Sequence, residues 1–306
     1  MRTVWLPPDA DRAALGELPS DLVETAWGRS PAEVSFVVLP PPARGEFAAL
    51  LPAMSSLDVV QTLNAGVDWV PPLPSGVRLC NASGVHDGPV AEWVLAVILA
   101  DAKRLRHFVD QQRAGHWDET ANLAFAHGIP ARDLDGSRAL VIGHGSIGRA
   151  VAARLAPFGC EVVGVARRQR PDSRPLSELP SLLPPADIVI LLAPATPHTR
   201  GLVDAAFLAA MKPGALLVNA ARGALVDHEA LLTALHAGRI RAALDATDPE
   251  PLPDGHPLWS APGAFITPHV AGSSAHWQAR AYALVGEQIR RWAAGEPLLN
   301  VRDAGY

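Results

Sequence analysis

The chain has 306 residues, 49% of them apolar and 19% charged, which is enough for one large core or two ordinary ones. Its formal net charge of -5 argues against nucleic acid or an anionic membrane surface as a partner, because either needs a concentrated basic face. The two cysteines, Cys80 and Cys160, fall in different predicted lobes, so neither a disulfide framework nor a cysteine metal site is expected, and a reducing cytoplasm fits best.

The opening MRTVWLPPDADRAAL lacks a basic start and a long apolar core, so no signal peptide is expected. Residues 1 to about 85 alternate short apolar strands, at 3–6, 34–39, 57–62 and 77–80, with helix-compatible stretches, the pattern of a small parallel α/β lobe. From 89 to 113 the spacing predicts one long helix, a hinge or dimer face, followed by an irregular segment over 115–135. The apolar run at 93–100 inside that helix is too short to span a bilayer. From 138 the alternation resumes with strands at 138–142, 161–165, 187–192, 215–219, 242–245 and 264–267. Their near-continuous apolar character fits parallel strands covered on both faces. Residues 274–294 predict an amphipathic helix that returns to pack on the first lobe.

Between strand 138–142 and the helix predicted over 147–158 the chain reads GHGSIG, placing Gly143, Gly145 and Gly148 at a helix mouth. In a dinucleotide fold one such glycine permits the tight turn, one lets backbone approach a pyrophosphate, and one lets the helix pack on the strand. His144 inside the motif reads as a spacer, since many residues are tolerated there.

Ligands of an open parallel sheet collect beyond the carboxyl ends of its strands. Just past those ends lie Arg222, after LLVNA; Glu250, after AALDA and a short turn; and His269, after AFITP. Each also has a plain reading, Arg222 as a surface residue before a helix that Asp227 caps and Glu250 as turn chemistry between two prolines. Together on one edge they suit reduction of a 2-oxo acid. Histidine is the natural proton donor, a carboxylate stabilises its charged form, and arginine holds a substrate carboxylate in a planar fork. In the first lobe, residues 64–68 (NAGVD) follow a strand and either present backbone N–H groups to that carboxylate or form an ordinary turn. Trp69 and Trp277 either shape a pocket or pack the lobe, and spacing does not place His86, His198 or His276.

These segments together resemble the D-isomer-specific 2-hydroxyacid dehydrogenases, the group that includes glyoxylate/hydroxypyruvate reductases and phosphoglycerate dehydrogenases. The matching pieces are TLNAGVD (62–68), NASGVHDGPVAEWVLAVILA (81–100), the stretch from Leu134 through GHGSIG, VNAARGALVD (218–227), LDATDPEPLP (244–253) and TPHVAG (267–272). The resemblance implies two Rossmann-like lobes, a doubly wound parallel-sheet dinucleotide-binding domain (89–272) inserted in a smaller flavodoxin-like substrate domain built from 1–88 and 273–306. It places the family's catalytic arginine, glutamate and histidine on Arg222, Glu250 and His269. Beyond the glycines it implies cofactor contacts at Ser146, Ile147, Pro194, Ala220, Ala221 and Asp245, substrate contacts from the amides of Ala65 and Gly66, and a homodimer built around the helix near 90–113.

Where members that prefer NAD carry an acid at the end of the second strand, this chain has Ala166, followed by Arg167, Arg168 and Arg170. An acid would repel a 2′-phosphate and arginines bind one, so NADPH is expected over NADH, unless these arginines are only a solvated loop. With no further domain after 306, the expectation shifts away from an allosterically controlled phosphoglycerate dehydrogenase. Neither tyrosine, Tyr282 or Tyr306, has a lysine four residues on, as short-chain dehydrogenases require, and two scattered cysteines cannot supply a zinc alcohol dehydrogenase. The alternatives left are a formate- or phosphite-type dehydrogenase of the same architecture and a nonenzymatic nicotinamide-sensing corepressor.

Overall fold

The computed structural model describes residues 2–118, 131–167 and 171–302. The chain divides into two compact units, the first made of 1–87 and 273–306 and the second of 88–272.

The first unit holds strands β1 (Arg2–Trp5), β2 (Leu22–Thr25), β3 (Val34–Leu39), β4 (Val59–Thr62) and β5 (Arg78–Cys80), with helices α1 (Arg12–Leu15) and α2 (Arg44–Leu50). The second opens with α3 (Asp87–Ala102), whose first residue still belongs to the first unit, and α4 (Leu105–Arg113). It continues through β6 (Arg138–Ile142), α5 (Ser146–Leu155), β7 (Glu161–Ala166), β8 (Arg174–Pro175), α6 (Leu179–Leu182), β9 (Ile188–Leu191), α7 (Ala205–Ala210), β10 (Leu216–Asn219), α8 (His228–His236), β11 (Arg241–Leu244) and β12 (Ala264–Ile266). The chain then re-enters the first unit as α9 (Trp277–Ala294) and β13 (Val301–Arg302).

In the first sheet the order is β13-β5-β4-β3-β1-β2, parallel except for β13, which pairs antiparallel with β5 through Val301 opposite Cys80. The parallel part has the flavodoxin-type order. Two cores cover the sheet, and strand alternation assigns its residues between them. Val4, Phe36, Val38 and Val59 meet Tyr282, Val285 and Ile289 of α9, while Trp5, Val37, Leu39 and Val60 meet Phe47 of α2. Helix α9 thus covers one face of the first unit's sheet.

The second sheet runs β12-β11-β10-β9-β6-β7-β8, all parallel. This is the doubly wound order, with its reversal point between β6 and β9. Alternation again sorts the faces: Leu140 and Ile142 pack with α7 and α8 residues such as Leu208 and Leu231, whereas Ala139 and Val141 pack with Val94 and Ile98 of α3 and Val151 of α5. Each fully buried aliphatic side chain contributes roughly 1.5–3 kcal/mol relative to exposure.

One predicted element is corrected. The helix expected as a single span over 89–113 is two helices, because Arg104 adopts a left-handed backbone at φ 55 that no helix interior accepts. Lys103 is drawn aside there, its Nζ donating to Asp133 and to the carbonyl of Arg132. Most of the irregular segment expected at 115–135 lies outside the described residues. Strands β2, β8 and β13 went unread, being two to four residues long and without apolar runs of their own.

Candidate active site

The glycine turn follows β6 directly at the reversal point. Gly143 has φ 104, and a Cβ there would strike the backbone of Leu192 and Ala193 at the end of β9. A Cβ at Gly148 would lie 2.6 Å from the carbonyl oxygen of Gly143, so this glycine lets α5 seat on the strand. Gly145, the N-cap of α5, is the opposite case, since a Cβ there would meet nothing within 4 Å. Two glycines serve close packing and the middle one leaves open space at the start of a ten-residue helix, whose N–H groups and dipole favour an anion. That is the cradle a dinucleotide's diphosphate needs, and the residues fit the group. Ser146 and Ile147 form the first turn of α5. His144 is more than a spacer: it is buried, its ring fills the place a Cβ on Gly164 would take, and its Nε2 lies 3.7 Å from Asp172.

The loops after β9, β10, β11 and β12, at the carboxyl edge of this sheet, hold Pro194, Ala220, Ala221, Arg222, Asp245, Glu250 and His269. Pro194 follows β9, and its carbonyl accepts from Thr199 Oγ1 at 2.7 Å. Ala220 and Ala221 follow β10. Asn219, fully buried at the end of that strand, braces the turn to Arg222: its Nδ2 donates to the Arg222 carbonyl at 3.0 Å and its Oδ1 accepts from the Ala221 N–H at 3.1 Å. Gly223 lies flat against the next loop, where a Cβ would collide with the carbonyl group of Thr247 and the nitrogen of Asp248. The loops of Arg222 and Glu250 are thus in direct contact.

Glu250 and His269 are brought together. His269 Nδ1 and Glu250 Oε1 are 2.6 Å apart, each side chain 43% exposed. The carboxylate can only accept, so Nδ1 carries the proton and Nε2 is the ring nitrogen left to exchange one. At this exposure the pair adds little to stability; what it sets is tautomer and ring orientation. His269 itself has φ 54, a left-handed conformation costing about 1–3 kcal/mol that persists only where the surroundings impose it. Here they do. The His269 N–H donates to the carbonyls of Asp245 and Thr267, and the Asp245 carboxylate, 3% exposed, accepts from Thr267 Oγ1 at 2.6 Å and from the N–H groups of Val270 and Ala271 at 2.8 Å each. Asp245, expected as a cofactor contact, spends both carboxylate oxygens on the loop that carries His269.

Sequence reasoning passed over Asn219 and the anchoring use of Asp245. The available signal was a polar residue closing an otherwise apolar strand, LLVN and AALD. Arg167 follows β7 immediately, whereas Arg168 and Arg170 lie outside the described residues. In the first unit, Ala65 and Gly66 sit in a braced loop: the Ala65 carbonyl accepts from Asn81 Nδ2 at 2.5 Å and the Gly66 carbonyl from the Trp69 indole N–H at 2.8 Å. Trp69 and Trp277 are both partly buried against the cores of that unit, Trp277 with its ring 5.7 Å from that of His86. A cavity of about 320 Å³ lies at the opposite, amino edge of the second sheet. Two ion pairs line it, Arg241 with Asp101 at 2.6 Å and Lys212 with Asp187 at 2.6 Å, and it lies away from the carboxyl edge that carries the glycine turn and His269.

A family model described as the NAD-binding domain of D-isomer specific 2-hydroxyacid dehydrogenases matches residues 95–271. The chain is 34% identical over 301 residues to a D-3-phosphoglycerate dehydrogenase of Mycobacterium leprae, an alignment covering 93% of this chain and 55% of that protein, so the chain spans about half of that relative's length. Among solved structures it is similar to a D-isomer specific 2-hydroxyacid dehydrogenase from Xanthobacter autotrophicus Py2 in complex with NADPH and MES, with 32% identity, 99% and 98% of the two chains covered and a TM-score of 0.82. It is also similar to an NADPH-dependent glyoxylate/hydroxypyruvate reductase from Sinorhizobium meliloti in complex with NADP and sulfate, with 26% identity, 100% of both chains covered and a TM-score of 0.82.

Proposed function

Because the chain belongs to the D-isomer-specific 2-hydroxyacid dehydrogenase family, we propose that it reduces a small 2-oxo acid of the glyoxylate or hydroxypyruvate kind to the D-2-hydroxy acid. The observation that carries this reading is the 2.6 Å contact between His269 Nδ1 and Glu250 Oε1 on the sheet edge that also holds the glycine turn. A bound reduced nicotinamide dinucleotide supplies the hydride. His269 delivers the proton from Nε2 to the carbonyl oxygen as negative charge develops there. Glu250, on the far nitrogen, stabilises the charged ring before the proton leaves. Arg222 binds the substrate carboxylate and draws electron density from the carbonyl. In the first unit, the amides of Ala65 and Gly66 are the proposed donors to the same carboxylate.

Gly143, Gly145, Ser146, Ile147 and Gly148 are the proposed diphosphate contacts, with Pro194, Ala220, Ala221 and Asp245 lining the remainder of the cofactor site. For the 2′-phosphate of NADPH the proposed contacts are Arg167 and Arg168, and Ala166 removes the acid that would repel it. Two relatives of this fold bind NADPH or NADP, which supports that preference. A homodimer built around 90–113 is supported by Leu105, Phe108 and Val109, which lie at helical spacing on α4 with 50%, 39% and 42% exposure. Among the described residues no helix is long and apolar enough to cross a membrane, and a cytoplasmic location is proposed on composition alone.

A panel of 2-oxo acids crossed with NADPH and NADH tests the reading, followed at the absorbance of the reduced nicotinamide. It includes a phosphorylated three-carbon 2-oxo acid, since the 34% identity to a phosphoglycerate dehydrogenase favours that substrate as the second reading. Turnover of an unphosphorylated acid with NADPH is expected. Cofactor binding without consumption by any acid would leave a sensor instead.

A further inference from the structure

His228 opens α8 and takes no part in the proposed proton transfer, yet its ring is built into the segment that carries Glu250. Its Nδ1 lies 2.7 Å from the carbonyl oxygen of Asp248, two residues before Glu250. A carbonyl only accepts, so Nδ1 bears the proton and donates. In the neutral ring Nε2 is then a bare lone pair, and it is buried with no hydrogen-bond partner among the described residues. The ring springs from a fixed base, because Asp227 caps α8 by accepting from the N–H groups of Glu229 at 3.0 Å and Ala230 at 3.1 Å. The same segment is braced from other directions by Gly223 against Thr247 and by Thr247 Oγ1 donating to the Pro249 carbonyl at 2.9 Å.

We propose that His228 is a positioning residue for Glu250: a neutral imidazole, protonated at Nδ1, that fixes residues 247–250 and thereby the carboxylate that meets His269. The inference rests on the acid–base reading of Glu250 and His269. A second proton would place an N–H at Nε2, where no acceptor waits among the described residues, so the buried position disfavours the charged ring. Burial, helped by neighbouring His256 and opposed by Asp248 and Asp227, pushes the His228 pKa below the ordinary histidine value.

Asparagine and glutamine substitutions separate the two ring nitrogens, since an asparagine amide N–H takes the place of Nδ1 and a glutamine amide that of Nε2. H228A, H228Q and H228N are compared with the wild type by amide exchange at residues 247, 248, 250 and 252, by kcat and KM for the 2-oxo acid, and by NADPH affinity. The wild-type tautomer is read from the long-range nitrogen–proton spectrum of the imidazole. The expected results are an Nδ1–H tautomer at neutral pH, and in H228A and H228Q roughly tenfold faster exchange and tenfold lower kcat with KM and NADPH affinity nearly unchanged, as for one lost hydrogen bond. H228N stays close to wild type in both. An Nε2–H tautomer, unchanged exchange in H228A, or an H228N as impaired as H228A overturns the proposal. Should H228A or H228Q fail to fold, the tautomer and H228N still decide it. If the wild type turns over no 2-oxo acid, the reading of Glu250 as an acid–base group has failed, and the tautomer and exchange results alone judge whether His228 holds the segment.

Discussion

His269 is held in a left-handed conformation by hydrogen bonds that use its own N–H and those of the next two residues, so its imidazole is presented by a rigid backbone instead of by side-chain packing. His269→Ala is expected to lower kcat by about 10²–10⁴ while NADPH affinity stays within a factor of two, because general acid catalysis supplies that range and the deleted ring is not a diphosphate contact. Arg222→Ala is expected to raise KM for the 2-oxo acid as well. Steady-state kinetics with a separate cofactor titration distinguishes the two. Asp187 illustrates a residue whose effect is on stability. Burial alone would raise its carboxyl pKa, but the hydrogen bond from Lys212, the N–H of Arg138 and the charges of Lys212 and Arg132 outweigh burial and hold it below the usual carboxylate value. A depressed folded-state value means a stabilising contribution that is present above the unfolded value, about 3.9, and is lost as pH falls through the folded one. Urea unfolding of Asp187→Asn should therefore fall short of wild type at neutral pH and approach it as the medium is acidified through the folded-state value; a gap independent of pH would mean that the charge is not what matters.

At the scale of elements, the turn from β6 into α5 assigns different duties to glycines that look alike in the sequence. Gly145→Ala meets open space, so the fold should tolerate it within about 1 kcal/mol while NADPH affinity drops at least tenfold. Gly143→Ala and Gly148→Ala meet backbone and should destabilise the second unit itself, by about 1–3 kcal/mol or more. Thermal unfolding and cofactor titration of the three variants read these apart. The turn was legible because a short apolar strand, three glycines and a helical period occur together within about twenty residues. The break after Ala102 was not, since apolar spacing continues across it and only the backbone of Arg104 reveals the turn. The Glu250 loop was half legible: its acid could be named from position, but the grip of Gly223 and His228 on it depends on contacts between separate loops, which no spacing encodes.

For the whole molecule, the parallel α/β class followed from apolar strands separated by helices and the doubly wound and flavodoxin-like arrangement from the family resemblance, while the edge strands β2 and β13 take their identity from neighbours they could not announce. The first unit is closed by its last residues. Gln288 of α9, fully buried, donates from Nε2 to Gln61 Oε1 at 3.0 Å and to the Leu299 carbonyl at 2.8 Å, and its Oε1 accepts from the Leu299 N–H at 2.8 Å. Gln288→Leu removes the partner of the fully buried Gln61 amide and of two half-buried backbone groups of Leu299, and should cost about 2–4 kcal/mol, located in the first unit. Faster amide exchange in β4 and near Leu299, with β9 and β10 still protected, would show the effect confined there, whereas equal loss in both sheets would show that the units unfold as one.

Because the first unit is made of two distant stretches with 88–272 between them, order of synthesis and order of completion are reversed. Residues 1–87 leave the ribosome well before Tyr282, Val285, Ile289 and Trp292, so the apolar face that these four cover stays open until they follow. The middle stretch has every strand of its own sheet as soon as residue 266 emerges. The unit whose chain begins first is thus completed only after the one inserted within it.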